Sequence, residues 1–464
     1  MKGMTKTMQQ QYTQENPLGV LPISDLLLKF TVPSVIAMLT SALYNIVDQF
    51  FIGNSVGELG NAATNIAFPL TTCCISIALL FGIGGASAFN LAKGRGDEED
   101  AVHYMGNSIS GILIFGGILL VVTQLFLTPM IRFFGAPESI MGYAKTYIGI
   151  TSFGFPMLIL SAGGGHLIRA DGSPNFSMVC NITGAVINTI LDALFIFKFD
   201  MGMAGAAWAT VIGQYVSGIM AIYYLCHCKT VTLQKQHFRP QKKYFTHVMA
   251  LGAAPCSNQI AMMIVQLVMN KSLTYYGAMS SYGEEIPLAC AGVVTKVSQV
   301  FFSFVIGISQ GLQPIISYNY GARKYQRVKK AYFLSAACGF AISMVAFCVF
   351  QIFPKPIIRL FGNGSAEYIA FSVSYFRVFL FFTFLNFIQP ITSNCFTAIG
   401  KPKKGMFLSL TRQILFLLPL ILVLPLFIGI DGILYAGPIA DGTAALVAAL
   451  MILREFKRPE YKNQ

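Results

Sequence analysis

The chain has 464 residues, 55% of them hydrophobic and only 11% charged, with a formal net charge of +13. A soluble protein carries about a quarter charged residues, so a soluble globular domain is excluded. The apolar residues run in long continuous blocks and not in short alternating segments, which also excludes a transmembrane β-barrel. An all-α integral membrane protein remains.

Residues 1–22 are polar and hold no apolar core, so no cleavable signal peptide is expected. Twelve spans are predicted, at 24–52, 61–91, 105–129, 139–167, 176–199, 203–227, 247–277, 286–318, 330–353, 366–396, 406–429 and 432–453. The run Leu26–Gly53 carries Pro33 near one end and one carboxylate, Asp48, near the other, in Tyr44-Asn45-Ile46-Val47-Asp48. An Asp at a helix centre costs roughly 2.5–3.5 kcal/mol on insertion scales, so it needs a partner, a water-filled cavity or a function. Either Asp48 snorkels to the interface or it faces a cavity inside a helical bundle. Span 2 contains Gly82-Ile83-Gly84-Gly85-Ala86-Ser87, which follows no strand and reads as close helix packing, not as a dinucleotide fingerprint. His166 and Arg169 end span 4, where contacts to loop carbonyls are expected. Span 5 brings the second carboxylate, Asp192, with Asn188 four residues earlier and so on the same helix face. Span 6 adds Thr210. Carboxylates, an amide oxygen and a hydroxyl form a hard oxygen set suited to a proton or a small cation. The ten cysteines lie mostly inside apolar runs and read as small buried hydrophobes; Cys226-His227-Cys228 has no second cluster to make a metal site.

Lys and Arg fall overwhelmingly in alternate loops: Lys93/Arg95, Arg169, Lys229 to Lys243, Arg323 to Lys330, Lys401 to Lys404, and Arg454 to Lys462. The opposite loops hold Arg132, Lys198, Lys355 and Arg359 with Glu58, Glu284 and Glu285. By the positive-inside rule both termini are cytoplasmic. The basic charge is then a topology signal with membrane lipids as contacts, and no nucleic-acid partner is expected. The chain also repeats itself. Gly94-Arg95 aligns with Gly321-Ala322 (321 − 94 = 227), Arg132-Phe133-Phe134-Gly135 with Arg359-Leu360-Phe361-Gly362 (359 − 132 = 227), and Gly172-Ser173-Pro174 with Gly400-Lys401-Pro402 (400 − 172 = 228). Two parallel six-helix lobes around a central cavity account for this: 1–228, a basic linker 229–246, and 247–464 with a short tail. At these offsets Asp192 maps near Leu420 and Asn188 near Phe416, so the acidic pair belongs to the first half alone.

These motifs resemble the multidrug and toxic compound extrusion (MATE) transporters over essentially the whole chain, in the bacterial branch with DinF-type and MepA-type pumps. The resemblance rests on Pro33 before Tyr-Asn-Ile-Val-Asp48, on Asn188-x-x-x-Asp192, on Ala204-Gly-Ala-Ala-Trp-Ala-Thr210, on Gly82 to Ser87 and on Arg169-Ala-Asp-Gly-Ser-Pro174. It implies an antiporter of the cell inner membrane, not an enzyme. Lipophilic cations and drugs would leave as H⁺ or Na⁺ enters, with no other cofactor, and the protein would act as a monomer. Asp48, Asn188, Asp192 and Thr210 match the family's cation site, and Pro33 its bendable first helix. Vibrio-type members carry further carboxylates in the second half. Spans 7, 8 and 10 here offer Gln259, Gln266, Gln299 and Gln389 but no acid, which argues against a second cation site. Asp48 and Asp192 are the only carboxylates placed well inside a span. Lys296, Arg377 and Arg412 are expected to pair with polar groups or headgroups, with Lys296 also a cavity candidate. Met38, Phe68, Met157, Gln259, Met262 and Met263 are the other lining candidates, because adaptable Met and aromatic surfaces suit varied cargo. The alternative reading is a lipid-linked precursor flippase of the same broader superfamily, whose cavity would be strongly basic.

Overall fold

A computed structural model describes residues 16–361 and 365–461. The segment up to residue 15, Gly362 of the repeated signature and Lys462 lie outside them. Twelve helices are long and apolar enough to cross a membrane. We label them α1 (Ile23–Ser55), α2 (Leu59–Arg95), α3 (Glu98–Leu125), α4 (Glu138–Ala170), α5 (Pro174–Lys198), α6 (Gly202–Cys226), α7 (Lys242–Ala278), α8 (Glu285–Gly321), α9 (Tyr325–Ile352), α10 (Ala366–Leu385), α11 (Pro402–Ile428) and α12 (Asp431–Phe456). Among the described residues there is no strand.

Each predicted span but the tenth is matched by one helix, and the differences lie at the ends. Helix α3 begins at Glu98 because Asp97 caps it, accepting the Asp100 N–H at 3.1 Å. The tenth span is broken, with a second piece at Ile388–Ala398. Pro390 has no N–H for the carbonyl four residues earlier, and a 3₁₀ turn over Thr383–Leu385 precedes it. The repeat is visible in the backbone. Gly172 (φ +88°) and Gly400 (φ +74°) both close their helices in the left-handed conformation. The next residues donate back to the same place, Ser173 N–H to Ile168 O at 3.1 Å and Lys401 N–H to Phe396 O at 2.8 Å.

An even number of spans puts both ends of the array on one side, called here the terminal side. Two apolar cores fill the two lobes, but they do not divide at the linker. Leu26, Leu27 and Phe30 of α1 pack in the core formed by α7 to α12. Tyr244, Val248 and Leu251 of α7 pack in the core formed by α1 to α6. The helices thus exchange their terminal-side ends.

The lobes meet through the terminal-side halves of α1, α2, α7 and α8, where glycines let backbones touch. A Cβ on Gly311 of α8 would stand 2.6 Å from the Thr31 Cα, and one on Gly84 of α2 2.8 Å from the Gly252 N. Polar bonds reinforce the contact: Gln313 donates to Ile83 O at 3.0 Å and to Ser87 Oγ at 2.8 Å. Arg327 donates to Leu21 O at 2.6 Å, and Asn319 to Leu18 O at 2.9 Å. Nearer the opposite side, Phe68 of α2 and Met262 of α7 remain 49% and 43% exposed.

Candidate cation site

Helix α5 buries Ser177, Cys180, Gly184, Asn188 and Asp192, a stripe at steps of three and four residues. Gly184 lies against Gly213 of α6, since a Cβ on Gly184 would stand 2.9 Å from the Gly213 carbonyl. That close approach sets Asn188 beside Thr210. With its amide nitrogen turned to the acid, Asn188 donates to Asp192 Oδ2 at 3.2 Å and accepts the Thr210 N–H at 3.1 Å. The Thr210 hydroxyl donates to Ala206 O at 3.0 Å.

Asp48 arrives from α1, which packs along α5, and stands close enough to Asp192 for the two charges to act on each other. Asp192 is fully buried, and Asn188 retains 3% exposure. One oxygen of each acid, Oδ1 in both, is buried with no hydrogen-bond partner. None of the ion pairs among the described residues involves either acid. Two carboxylates at such range repel each other, and a buried oxygen without a donor adds a desolvation cost. A bound proton or small cation relieves both at once. The four residues singled out in the sequence are therefore brought together on three helices. Two tyrosines were not foreseen: Tyr147 of α4 and Tyr44 of α1 stand close enough to feel both acids. Tyr44 lies four residues before Asp48 and hence on its face, a usable signal; Tyr147 left none.

Other expectations fare differently. Pro33 is buried within an unbroken α1. Met38 accepts from Gln310 Nε2 at 3.5 Å. Gln259, Met263 and Lys296 are half-buried on α7 and α8. Met157 is half-buried as well and packs against Gly218 of α6, 2.8 Å from where a Cβ on that glycine would stand. Arg169 meets no loop carbonyl. It donates to Ser177 Oγ at 2.9 Å, to His166 Nδ1 at 2.9 Å and, across the lobes, to Gln310 Oε1 at 3.2 Å. The loop is held instead by Asp171, which accepts from Tyr224 Oη at 2.8 Å, Lys229 N at 2.6 Å and Thr230 N at 3.0 Å. Asp48 and Asp192 are also not the only acids deep in a span. Asp441 of α12 is 2% exposed and pairs with Arg412 of α11.

Two lobes of six parallel-repeated helices, with an acid pair held inside one of them, define a membrane transporter of the MATE class. The MatE family model matches residues 33–194 and 257–423. The chain belongs to that family, the multidrug and toxic compound extrusion transporters. Multidrug export protein MepA of Staphylococcus saprophyticus is 26% identical over 429 residues, 92% of each chain. A ligand-bound structure of the MATE multidrug transporter DinF-BH superposes with a TM-score of 0.87 at 31% identity, over 97% of this chain and 99% of the other. An outward-facing MATE family transporter of the MOP superfamily gives 0.88 at 22% identity, over 95% and 98%.

Proposed function

We propose that the chain is a secondary active exporter that moves amphipathic, often cationic, compounds out of the cell in exchange for inward H⁺ or Na⁺. The observation that carries this is the pair Asp48–Asp192, two acids inside a lobe that form no ion pair among the described residues. Cation binding removes their repulsion and desolvation, and it does so unequally in states that expose or bury the pair. Such a difference between states is what coupling requires. The moving parts are the lobes, residues 1–228 and 247–464, rocking about their shared contact with linker 229–246 between them. With the terminal side cytoplasmic, as the Lys/Arg asymmetry indicates, contact through α1, α2, α7 and α8 corresponds to an outward-facing state. Helix α1 rearranges about Pro33 when the acids are neutralised.

Cargo occupies the space between the lobes, with Met38, Phe68, Gln259, Met262, Met263 and Lys296 as lining candidates. The names of the relatives, a multidrug export protein and a multidrug transporter, support lipophilic cargo. They do not favour the flippase. The test is dye efflux from vesicles holding the purified monomer under an imposed proton or sodium gradient, one at a time. Efflux should follow one gradient. Dye movement indifferent to both would remove the antiport reading.

A further inference from the structure

The second lobe has its own buried acid, and it differs from the first in what balances the charge. Asp441 accepts from Arg412 Nε at 2.5 Å and from Asn386 Nδ2 at 3.0 Å. The repeat places this pair. Subtracting the offset of 228 carries Arg412 to Gly184 and Asp441 to Gly213, the two glycines in contact between α5 and α6. The same niche between the fifth and sixth helices of each lobe is therefore closed by backbone contact in the first and by an ion pair in the second. The fifth helix of each lobe also carries a π-helical turn, at Leu194–Lys198 in α5 and at Thr411–Leu417 in α11, the latter containing Arg412.

Arg412 and Asp441 each lie ten residues in from the nearer end of their spans, Pro402 and Asp431 (412 − 402 and 441 − 431). That is roughly 15 Å along a helix. An isolated carboxylate at this depth requires a counter-charge. Among the described residues Arg412 supplies it, and no other ion pair reaches Asp441. The guanidinium side chain keeps 18% of its exposure while the acid keeps 1%. Exposure of an arginine to hydrocarbon at that depth would be costly.

We propose that Arg412 is a tethered counter-cation filling a small-cation site made by Asp441 and Asn386. On this view the second lobe carries its cation permanently, whereas Asp48 and Asp192 take theirs from solution; only this contrast rests on the exchange reading above. Removing the guanidinium unmasks a second exchangeable site for H⁺ or Na⁺, with Asp441 as its charge and Asn386 Oδ1 as a further oxygen.

The test counts cations on the full-length protein in detergent: proton uptake on acidification from pH 8 to 5, read with an indicator dye, and bound radioactive Na⁺. Arg412→Gln should gain one proton or one Na⁺ per chain over the wild type. The gain should vanish in Arg412→Gln/Asp441→Asn, be absent in Arg412→Lys, and persist when Asp48→Asn and Asp192→Asn are added. An unchanged count in well-folded Arg412→Gln overturns the proposal. If that variant aggregates at neutral pH it is purified at pH 5, where a protonated carboxyl needs no counter-ion. Failure there too, with a stable double variant, also overturns it. Loss of the exchange reading would show separately, as a wild-type count that Asp48→Asn and Asp192→Asn leave unchanged.

Discussion

Arg323 in the second lobe holds the left-handed backbone conformation that Gly96 holds in the first, with φ of 58° against 80°. The two are 227 residues apart, and each is followed by the same return bond: Asp97 N–H to Ala92 O at 3.0 Å, Lys324 N–H to Asn319 O at 2.8 Å. Glycine pays no steric penalty there, whereas a residue with a Cβ loses about 1 kcal/mol. Arg323→Gly should therefore raise stability by up to about 1 kcal/mol and Gly96→Ala should lower it by a similar amount. Thermal melting of the purified protein checks both, and opposite signs are the point.

The acid pair gives the sharpest functional expectation. Asp48→Asn and Asp192→Asn should each abolish gradient-driven dye efflux at unchanged membrane abundance, because neutralising a buried acid removes the coupling charge but eases burial. Asn188→Ala and Thr210→Ala separate the ions. Mild losses fit a proton, which needs only a carboxylate; severe losses fit Na⁺, which needs several oxygens in place.

Asp171 ties the inter-lobe linker to the end of α4. Asp171→Ala strands the Tyr224 hydroxyl and the Lys229 and Thr230 N–H groups, at a cost of roughly 3 kcal/mol. Limited trypsin digestion should then cut faster at Lys229 and Lys235, with cleavage elsewhere unaltered.

His237, in the same linker, should make its attachment pH-dependent. Burial, helped by the His103 ring at 4.9 Å and opposed by Glu99, holds the imidazole below the usual histidine range. Its Nδ1 accepts the Gln234 N–H at 3.0 Å, which requires an unprotonated nitrogen. The native linker thus binds fewer protons than the unfolded one. Its stabilisation is complete above the ordinary histidine value and is lost as pH falls through the lowered one. The melting temperature should drop between pH 7 and 5, and His237→Gln should flatten that drop.

Pro33 leaves one carbonyl of α1 without its helical donor. Pro33→Ala should insert normally and export poorly, measured as efflux rate per inserted molecule. Wild-type efflux would take the proline out of the mechanism.

The sequence carried the fold well because apolar run length is a local signal, and a bilayer punishes departures from it. It carried Asp48, Asn188, Asp192 and Thr210 because each stands out in an apolar run. Asp441 escaped although it lies inside the predicted twelfth span, set among Gly437, Pro438 and Gly442 where polarity draws less notice. Arg412, a half-buried cation in the neighbouring span, was the clue to it. The contact of Met157 with Gly218 was not legible for a different reason. Which face of a helix looks inward depends on how neighbours are phased around it, and hydropathy is silent on phase when both faces are apolar.

The exchanged ends of α1 and α7 bear on how such a chain is made. The internal repeat suggests two interchangeable halves, yet each half lacks a piece of its own core: the first needs Tyr244, Val248 and Leu251, the second Leu26, Leu27 and Phe30. A ribosome that has released only the first six helices has therefore delivered an unfinished lobe, and its closing pieces arrive with the seventh. Each lobe closes its core only with a helix end that belongs, by sequence, to the other.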